Sequence, residues 1–209
     1  MKNGTKNIIK YLIEFLIVAF GVFLGIYASE WENQKKIKES KEKAIENIVR
    51  ELNQNKENLQ NSIEYHELIK TNLDSILRTI PQKIFNEPFY DNKKFKFNSI
   101  QSWKGNGFTR FENTAFEVAK MSGTLQNMNI DLIQDISKIY NQIKFLSDYQ
   151  SSLTERTLKL NSETKTIDVI IDIKLITGDN IGMEKNVLAE LNQAINRIKT
   201  THNGSYEKR

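Results

Sequence analysis

The sequence has no cysteine, only two histidines and only two prolines in 209 residues. Without cysteine the chain has no disulfide scaffold, no cysteine-type zinc site, no iron–sulfur cluster and no thiol chemistry. The two histidines, His66 and His202, are too few for a histidine-rich metal centre, so we expect neither a metal nor a cofactor. Two prolines and nine glycines, among many Lys, Glu, Asn, Ile and Leu residues, favour a mostly helical chain.

One long uncharged run is present, at residues 15–28 (FLIVAFGVFLGIYA). It is short for a membrane span, which needs about 20 residues to cross the hydrocarbon core. Extending it from Tyr11 to Trp31 gives sufficient length and places aromatic side chains near both interfaces. A cleaved signal peptide is the main alternative, and a buried helix of a soluble protein is another. Against the signal peptide, Glu14 lies between the basic start and the apolar run, and no A-x-A-like site follows. We therefore predict a retained membrane anchor over residues 1–31.

The predicted anchor carries a carboxyl group and small residues on one helical face. At about 100° per residue, Gly21, Gly25 and Ala28 fall within about 40° of Glu14. A Gly-x-x-x-Gly pair lets helix backbones approach closely, which drives association in lipid. The alternative is that small residues are simply common in membrane spans and that Glu14 extends to the headgroups. Because these residues share one face, we predict a parallel homo-oligomer in which the Glu14 side chains converge.

Lysines flank the anchor on both sides. Three precede it (Lys2, Lys6 and Lys10) and five follow it within fifteen residues (Lys35, Lys36, Lys38, Lys41 and Lys43). Counted in this way, the positive-inside rule favours a body on the cytoplasmic side. The preference for this orientation is weakened because the lysines after the anchor are interleaved with glutamates.

Residues 32–80 are predicted to form one long stalk helix that continues from the anchor. Glycine and proline are absent, and apolar residues recur every three or four positions (Ile48, Leu52, Leu59, Ile63, Ile69, Leu73, Ile76 and Ile80). Asn55 and His66 interrupt this stripe. A polar residue at such a position is a register device or a hydrogen-bonded core group, and a functional role for His66 is the alternative.

Residues 81–111, the basic aromatic segment, differ from the rest of the chain. They hold eight aromatic residues, and their six basic and two acidic residues account for the whole net charge of +4. The alternation at residues 94–97 and the turn-forming sequence at 104–107 (KGNG) predict a small hairpin or loop insertion.

Basic residues interleaved with aromatic ones can bind an anionic membrane surface or single-stranded nucleic acid. The candidate residues for such binding are Lys93, Lys94, Lys96, Lys104 and Arg110. We expect lipid rather than nucleic acid, on the premise that the anchor holds this segment near the bilayer. The alternative is ordinary structure, with the aromatic face packed on helices and the lysines in water.

The remaining sequence, residues 112–202, predicts a helical bundle followed by a polar tail at 203–209. A short helix capped by Asn113 or Thr114 is predicted to end at Ser122-Gly123. A long helix is predicted to begin at Asp131, and a final helix carries the apolar residues between 187 and 198. Residues 166–176 suit either a strand or a helix, and Gly178 and Gly182 are predicted to bracket a turn. The predicted fold class is all-α: an antiparallel bundle attached to the anchor by the stalk helix.

The anchor resembles that of a family of short, uncharacterised bacterial single-pass membrane proteins. Their first span has a Glu, an aliphatic run, a Gly-x-x-x-small step and a Trp followed by an acidic or amide residue; here these are Glu14, Gly21, Gly25, Trp31 and Glu32. Residues 113–140 also resemble that family's central segment, and together the resemblance covers about a third of the chain. It implies attachment to the bacterial inner membrane and a helical body, but no biochemical activity.

A second resemblance rests on Arg197 and His202, an R-x4-H pair in the sequence RIKTTH. This pair is similar to the signature of HEPN-type helical ribonucleases, in which Arg and His act on the RNA phosphate and 2′-hydroxyl. The resemblance implies metal-independent catalysis by these two residues, in which the cation stabilises the transition state and the imidazole transfers protons. The residue after the arginine, Ile198, departs from the polar residue that these enzymes often carry.

The preferred interpretation is a non-enzymatic, single-pass membrane protein whose helical body interacts with an unidentified protein partner or senses a signal. Two alternatives remain: a membrane-tethered HEPN-like ribonuclease, or a pore-forming accessory of an anti-phage defence system. Only the ribonuclease requires a cytoplasmic body.

Overall fold

A computed structural model describes the backbone of residues 2–207 and the side chains of residues 10–201. The described residues form five α-helices and no strand: α1 (Lys2–Leu77), α2 (Thr114–Met121), α3 (Ile130–Leu158), α4 (Thr166–Thr177) and α5 (Asp179–Glu207). Three short 3-10 turns occupy Gln82–Asn86, Phe97–Ser99 and Thr124–Asn127. The predicted all-α fold is confirmed, and the ambiguous residues 166–176 are helical.

Helix α1 joins the apolar anchor to the body without a break. Every described side chain from Lys10 to Lys36 is exposed, and this part of α1 is long and apolar enough to cross a membrane by length and composition. From Ile45 onward one face of the same helix is buried in the body, including Leu52 and Ile69. The predicted apolar stripe is therefore the buried face, and the second half of the stalk is part of the bundle.

Contacts between helices define an up-and-down arrangement. Helix α5 is antiparallel to α3, because Gln150 bonds to Glu184 while Arg197 bonds to Asp135. Helix α2 returns towards the anchor beside α1, since the Ala115 amide bonds to Glu51 and Thr124 lies 3.3 Å from the Ser40 hydroxyl. The body thus consists of α1, α3 and α5, with α2 at the end near the anchor and α4 at the far end.

Two apolar clusters form the core of the body. The first joins α1, α3 and α5 (Ile48, Leu52, Leu59, Ile136, Ile143, Leu191 and Ile198 among others). The second lies farther from the anchor and joins the end of α1, α4 and the basic aromatic segment (Ile69, Leu73, Ile84, Phe89, Phe95, Ile100, Val169, Ile170 and Ile173). Helix α4 is apolar on several faces because it is packed from several sides.

The basic aromatic segment is a loop insertion and not a hairpin. The Oδ1 atom of Asn92 accepts hydrogen bonds from the backbone N–H groups of Lys94 (2.8 Å) and Phe95 (3.1 Å), which a hairpin ladder would have used. The alternating pattern instead reflects the burial of Phe95, which is 0% exposed. Among the residues that the structure describes, extended pairing is limited to an isolated bridge between Pro88 and Lys165.

The two glycines expected to bracket a turn have different roles. Gly178 separates α4 from α5, and a Cβ atom there would lie 2.8 Å from the carbonyl oxygen of Lys174. Gly182 lies inside α5, where a Cβ atom would meet nothing within 4 Å. The helix break therefore takes a single residue, and the prediction for Gly182 was wrong.

Replacing Gly178 with Ala is expected to lower the free energy of unfolding by about 1–3 kcal/mol, because the added methyl group collides with the backbone of α4. The matched control is Gly182→Ala, which should raise the free energy of unfolding by up to about 1 kcal/mol, since Ala is the better helix former. Chemical denaturation followed by circular dichroism measures both. Equal effects of the two substitutions would contradict this account of the junction.

Candidate functional site

A groove of about 720 Å³ lies between α1 and α2, on the side of the body near the anchor. Its α1 wall carries polar residues at one-turn spacing from Ser40 to Gln54, including Lys43 and Arg50. Its α2 wall is formed largely by small and apolar residues (Ala115, Val118, Ala119 and Ser122). The wall along α1 extends over about 21 Å at 1.5 Å per residue, and the volume falls within the range of ligand pockets.

Glu51 connects the groove to the core. One carboxylate oxygen accepts a hydrogen bond from the Tyr140 hydroxyl at 2.5 Å, and the other accepts from the Ala115 N–H at 2.7 Å. The second bond satisfies an N–H group in the first turn of α2, where Asn113 makes no side-chain cap. Burial, followed by the hydrogen bond and charge of Glu51, raises the pKa of Tyr140 far above its usual range. Tyr140 therefore remains a neutral donor.

Asn55, the first interruption of the α1 stripe, is a hydrogen-bonded core group as predicted. Its side chain is 0% exposed. The amide donates to the carbonyl oxygen of Glu112 at 2.7 Å and accepts from the N–H of the same residue at 2.8 Å. This pair of bonds holds the chain entering α2 against α1 and so sets the width of the groove.

A layer of polar side chains separates the two apolar clusters. The polar layer consists of His66, Gln150, Asn180 and Glu184, each at most 3% exposed. His66 Nδ1 lies 2.9 Å from Glu184 Oε2, and Gln150 donates to Glu184 Oε1 at 3.0 Å and to Asn180 Oδ1 at 3.2 Å. His66 is therefore bonded on the side that faces α5, as a structural interpretation of this residue requires.

The other nitrogen of His66 holds a turn of the basic aromatic segment, residues 104–109. His66 Nε2 lies 2.6 Å from the carbonyl oxygen of Asn106. The Tyr65 hydroxyl donates to the Gly105 carbonyl at 2.8 Å, and Thr109 donates to Ser62 at 2.8 Å. Three neighbouring side chains of α1, those of Ser62, Tyr65 and His66, thus bind the turn.

Glycine is required at the centre of this turn. Gly107 has φ +70°, and a Cβ atom there would lie 2.2 Å from the ring of Tyr65. Both glycines of the KGNG sequence have positive φ, but they form a bend in a loop and not the turn of a hairpin. The role of these residues as the cover of a buried histidine depends on contacts between distant residues.

The candidate anionic-surface residues are distributed along the loop. Lys93, Lys94, Lys104 and Arg110 are exposed, and no ion pair joins them to any described residue. Lys96 is different, because its Nζ donates to the carbonyl oxygens of Phe89 (2.7 Å) and Tyr90 (2.5 Å) and lies 5.2 Å from the centre of the Phe89 ring. The Lys96 side chain therefore links two parts of the loop by hydrogen bonds.

The basic aromatic segment lies far along α1 from the predicted anchor. The segment packs on Leu73 and Ile69, and Leu73 follows Trp31 in the unbroken helix α1. At 1.5 Å per residue, these residues are separated by about 60 Å along the helix axis. The aromatic residues are also largely used inside the protein, as in the stacked pair of Phe97 and Trp103 with ring centres 5.2 Å apart.

The predicted oligomerisation residues Glu14, Gly21, Gly25 and Ala28 all lie in the exposed part of α1. A Cβ atom added at either glycine would meet nothing within 4 Å. Glu14 lies 3.9 Å from Lys10 in an exposed ion pair one turn away. Within one copy of the chain, this face is open for contact with another helix.

Arg197 lies between α5 and α3. Its Nε donates to Asp135 Oδ1 at 2.8 Å, and its side chain is 40% exposed. The side chain of His202 lies outside the described residues, so the geometry of the R-x4-H pair stays a prediction. The contact with Asp135 gives Arg197 a structural role in joining two helices.

Replacing Arg197 with Ala is expected to lower the free energy of unfolding by about 0.5 kcal/mol, the usual size of a partly exposed ion pair. RNA cleavage by the purified chain should be the same with and without the substitution, and His202→Ala should behave likewise. The matched control is Asp135→Asn, which removes the same ion pair from the other side. Loss of a cleavage activity in Arg197→Ala but not in Asp135→Asn would instead support the ribonuclease.

No protein-family model, curated protein or solved structure matches the chain. Among side chains 10–201, no group of three or more His, Asp or Glu residues is placed to hold a metal ion. The fold itself defines the class: an all-α bundle with one N-terminal helix long and apolar enough to cross a membrane.

Sequence reasoning identified His66 and Asn55 but missed Glu184, Asn180 and Gln150. The available signal was Glu184 itself, a carboxylate between Ile181 and Val187 on the apolar stripe of α5. A buried charge needs a partner, so this position could have been paired with His66 as a hypothesis. Gln150 carries no such signal, because nothing in the sequence distinguishes this buried uncharged amide from the many other polar residues of α3.

Proposed function

We propose that this chain is a single-pass protein of the bacterial inner membrane that acts without catalysis, as an interaction or sensing module with a cytoplasmic body. The observation that supports this function is the continuity of α1, whose exposed apolar part and buried body part belong to one helix. Because nothing breaks α1 between Trp31 and Ile45, the position of the anchor determines the position of the body.

The groove between α1 and α2 is the proposed contact site for a protein partner. Its polar α1 wall carries two cations, Lys43 and Arg50, and its α2 wall offers Val118 at the rim, which is 54% exposed. Groove walls of this kind suit a helix or an extended segment of another protein. The groove begins within about 15 Å of Trp31 along α1, so a partner in the same membrane can reach it.

The anchor is proposed to hold two or more copies in parallel through Glu14, Gly21, Gly25 and Ala28. The open glycine face supports this proposal, since small residues allow close helix packing in lipid. In a parallel oligomer each groove lies at the same height above the bilayer, so a partner could bind several copies at once.

The membrane function is tested by extraction and topology. Full-length protein should stay in the membrane fraction under alkaline extraction, and a chain lacking residues 1–31 should be released. A reporter active only in the cytoplasm should be active when fused after residue 207, and one active only outside should not. Release of the full-length chain would contradict the anchor, and the opposite reporter pattern would contradict the orientation.

A further inference from the structure

We propose that a single proton shared by His66 and Glu184 controls whether the turn 104–109 stays closed on α1, so that the body responds to pH. This property does not depend on oligomerisation or on the orientation of the anchor. It follows from the hydrogen-bond geometry of the polar layer.

The protonation of Nε2 is fixed by its partner. The carbonyl oxygen of Asn106 can only accept a hydrogen bond, so the contact of 2.6 Å requires a proton on His66 Nε2. The contact of 2.9 Å between His66 Nδ1 and Glu184 Oε2 then needs one further proton between those two atoms. With that proton, the pair is either imidazolium with carboxylate or two neutral groups, and both forms are balanced in charge.

Adding or removing a proton leaves a buried charge without a partner. An extra proton on Glu184 neutralises the carboxylate beside an imidazolium that is 0% exposed. Loss of the shared proton leaves a carboxylate facing the lone pair of a neutral imidazole. Both states are costly in a dry site, and the cost falls if water enters.

Water can enter most easily through the turn. Gly107 is exposed and Asn106 is half-buried, whereas His66 is otherwise enclosed by helices and by Phe108, whose ring centre lies 5.9 Å from its own. Lifting the turn breaks the bonds from His66, Tyr65 and Thr109 described above, the bond from the Lys104 N–H to the Tyr65 hydroxyl and a long bond of 3.4 Å from Asn106 to Thr157, but no backbone pairing of a helix. Opening of the turn is therefore the expected response to either change in protonation.

The neighbouring groups do not supply a substitute charge. Gln150 from α3 and Asn180 from α5 are neutral amides, and Asn180 Nδ2 lies 3.4 Å from His66 Nδ1. On α1, burial raises the pKa of Tyr65, so it stays neutral. Glu67 and Lys185, which follow the pair along α1 and α5, already form an exposed ion pair at 2.6 Å. Lys104 contacts this region through its backbone N–H, which donates to the Tyr65 hydroxyl.

The test is hydrogen–deuterium exchange of the full chain in lipid nanodiscs, from acidic to alkaline pH. Protection factors remove the intrinsic pH dependence of exchange, and a peptide covering residues 136–143 of α3 serves as the internal reference. In a peptide covering residues 100–109, the Lys104 N–H, which donates to the Tyr65 hydroxyl, should lose protection by about tenfold or more on both the acidic and the alkaline side. A flat profile in the wild-type chain would overturn the proposal.

Glu184→Gln separates the two sides of the profile. The amide can donate to a neutral His66 Nδ1 and has no charge to compensate, so the alkaline loss of protection should disappear while the acidic loss remains. An unchanged alkaline loss would overturn the assignment to Glu184. The matched control is His202→Gln, the other histidine of the chain, which should keep the wild-type profile; a changed profile would overturn the assignment to His66.

Tryptophan fluorescence gives a second measurement that does not depend on the folding of Glu184→Gln. Trp31→Phe leaves Trp103 as the only tryptophan, stacked on Phe97 beside the turn. Its emission should shift to longer wavelength at the same acidic and alkaline pH values at which protection is lost. Gly107→Ala in the same Trp31→Phe background displaces the turn from Tyr65, so its emission should be shifted at every pH. Emission that is independent of pH in Trp31→Phe would again overturn the proposal.

Discussion

Replacing Glu184 with Ala is expected to lower the free energy of unfolding by about 3–5 kcal/mol, the usual cost of removing one partner of a buried pair. The change leaves His66 buried without its partner and removes the acceptor of the Gln150 amide, which keeps only its bond of 3.2 Å to Asn180. Every buried side-chain nitrogen and oxygen among the described residues has a hydrogen-bond partner in the native chain. Chemical denaturation at neutral pH measures the loss.

The matched control for this prediction is Glu190→Ala on the same helix. Glu190 forms an ion pair with Lys138 at 3.0 Å, but both side chains are partly exposed. Removing such a pair costs about 0–1 kcal/mol. Similar losses for the two glutamates would show that burial of the polar layer does not determine its contribution to stability.

Replacing both Gly21 and Gly25 with Ile is expected to abolish the predicted oligomer. The branched side chains would keep two α1 helices apart on the face where the glycines allow backbone contact. Because the chain has no natural cysteine, a single cysteine placed at Ala28 reports contact through disulfide cross-linking in native membranes. The cross-linked species should be lost in the double substitution and retained in Glu14→Gln, whose amide can still bond across the interface.

The control for the anchor is Ala19→Ile, which places an Ile side chain about 150° around the helix from the glycine face. It should retain the cross-link. A wild-type chain that stays monomeric in native-like bilayers, or an equal loss in Ala19→Ile, would contradict association through this face.

The sequence predicted those parts of the fold that depend on local periodicity. The apolar stripe of α1 and the end of α2 at Gly123, which has φ +72°, follow from spacing and backbone preference alone. Of the two structures predicted for the basic aromatic segment, the loop is the one found, because the Asn92 side chain takes backbone N–H groups that a strand pair needs. Alternation in the sequence cannot show such competition.

The candidate sites were less predictable because they depend on which helices meet. His66 and Glu184 are 118 positions apart in the sequence, and only the antiparallel packing of α5 brings them within 2.9 Å. The groove has the same origin, since its walls come from residues 40–54 and 112–124. The distance between the basic aromatic segment and residues 1–31 is a further example, because it follows from the unbroken length of α1, which composition does not reveal.

The unbroken helix α1 also behaves as a lever. When the anchor tilts by about 10° in the bilayer, and α1 stays straight, a residue about 60 Å away moves sideways by about 10 Å. Bilayers of different thickness impose different tilts on a span of fixed length. In the proposed membrane protein, the far end of the body, where Leu73 packs on the basic aromatic segment, would therefore convert a small change in membrane thickness into a displacement as wide as a helix.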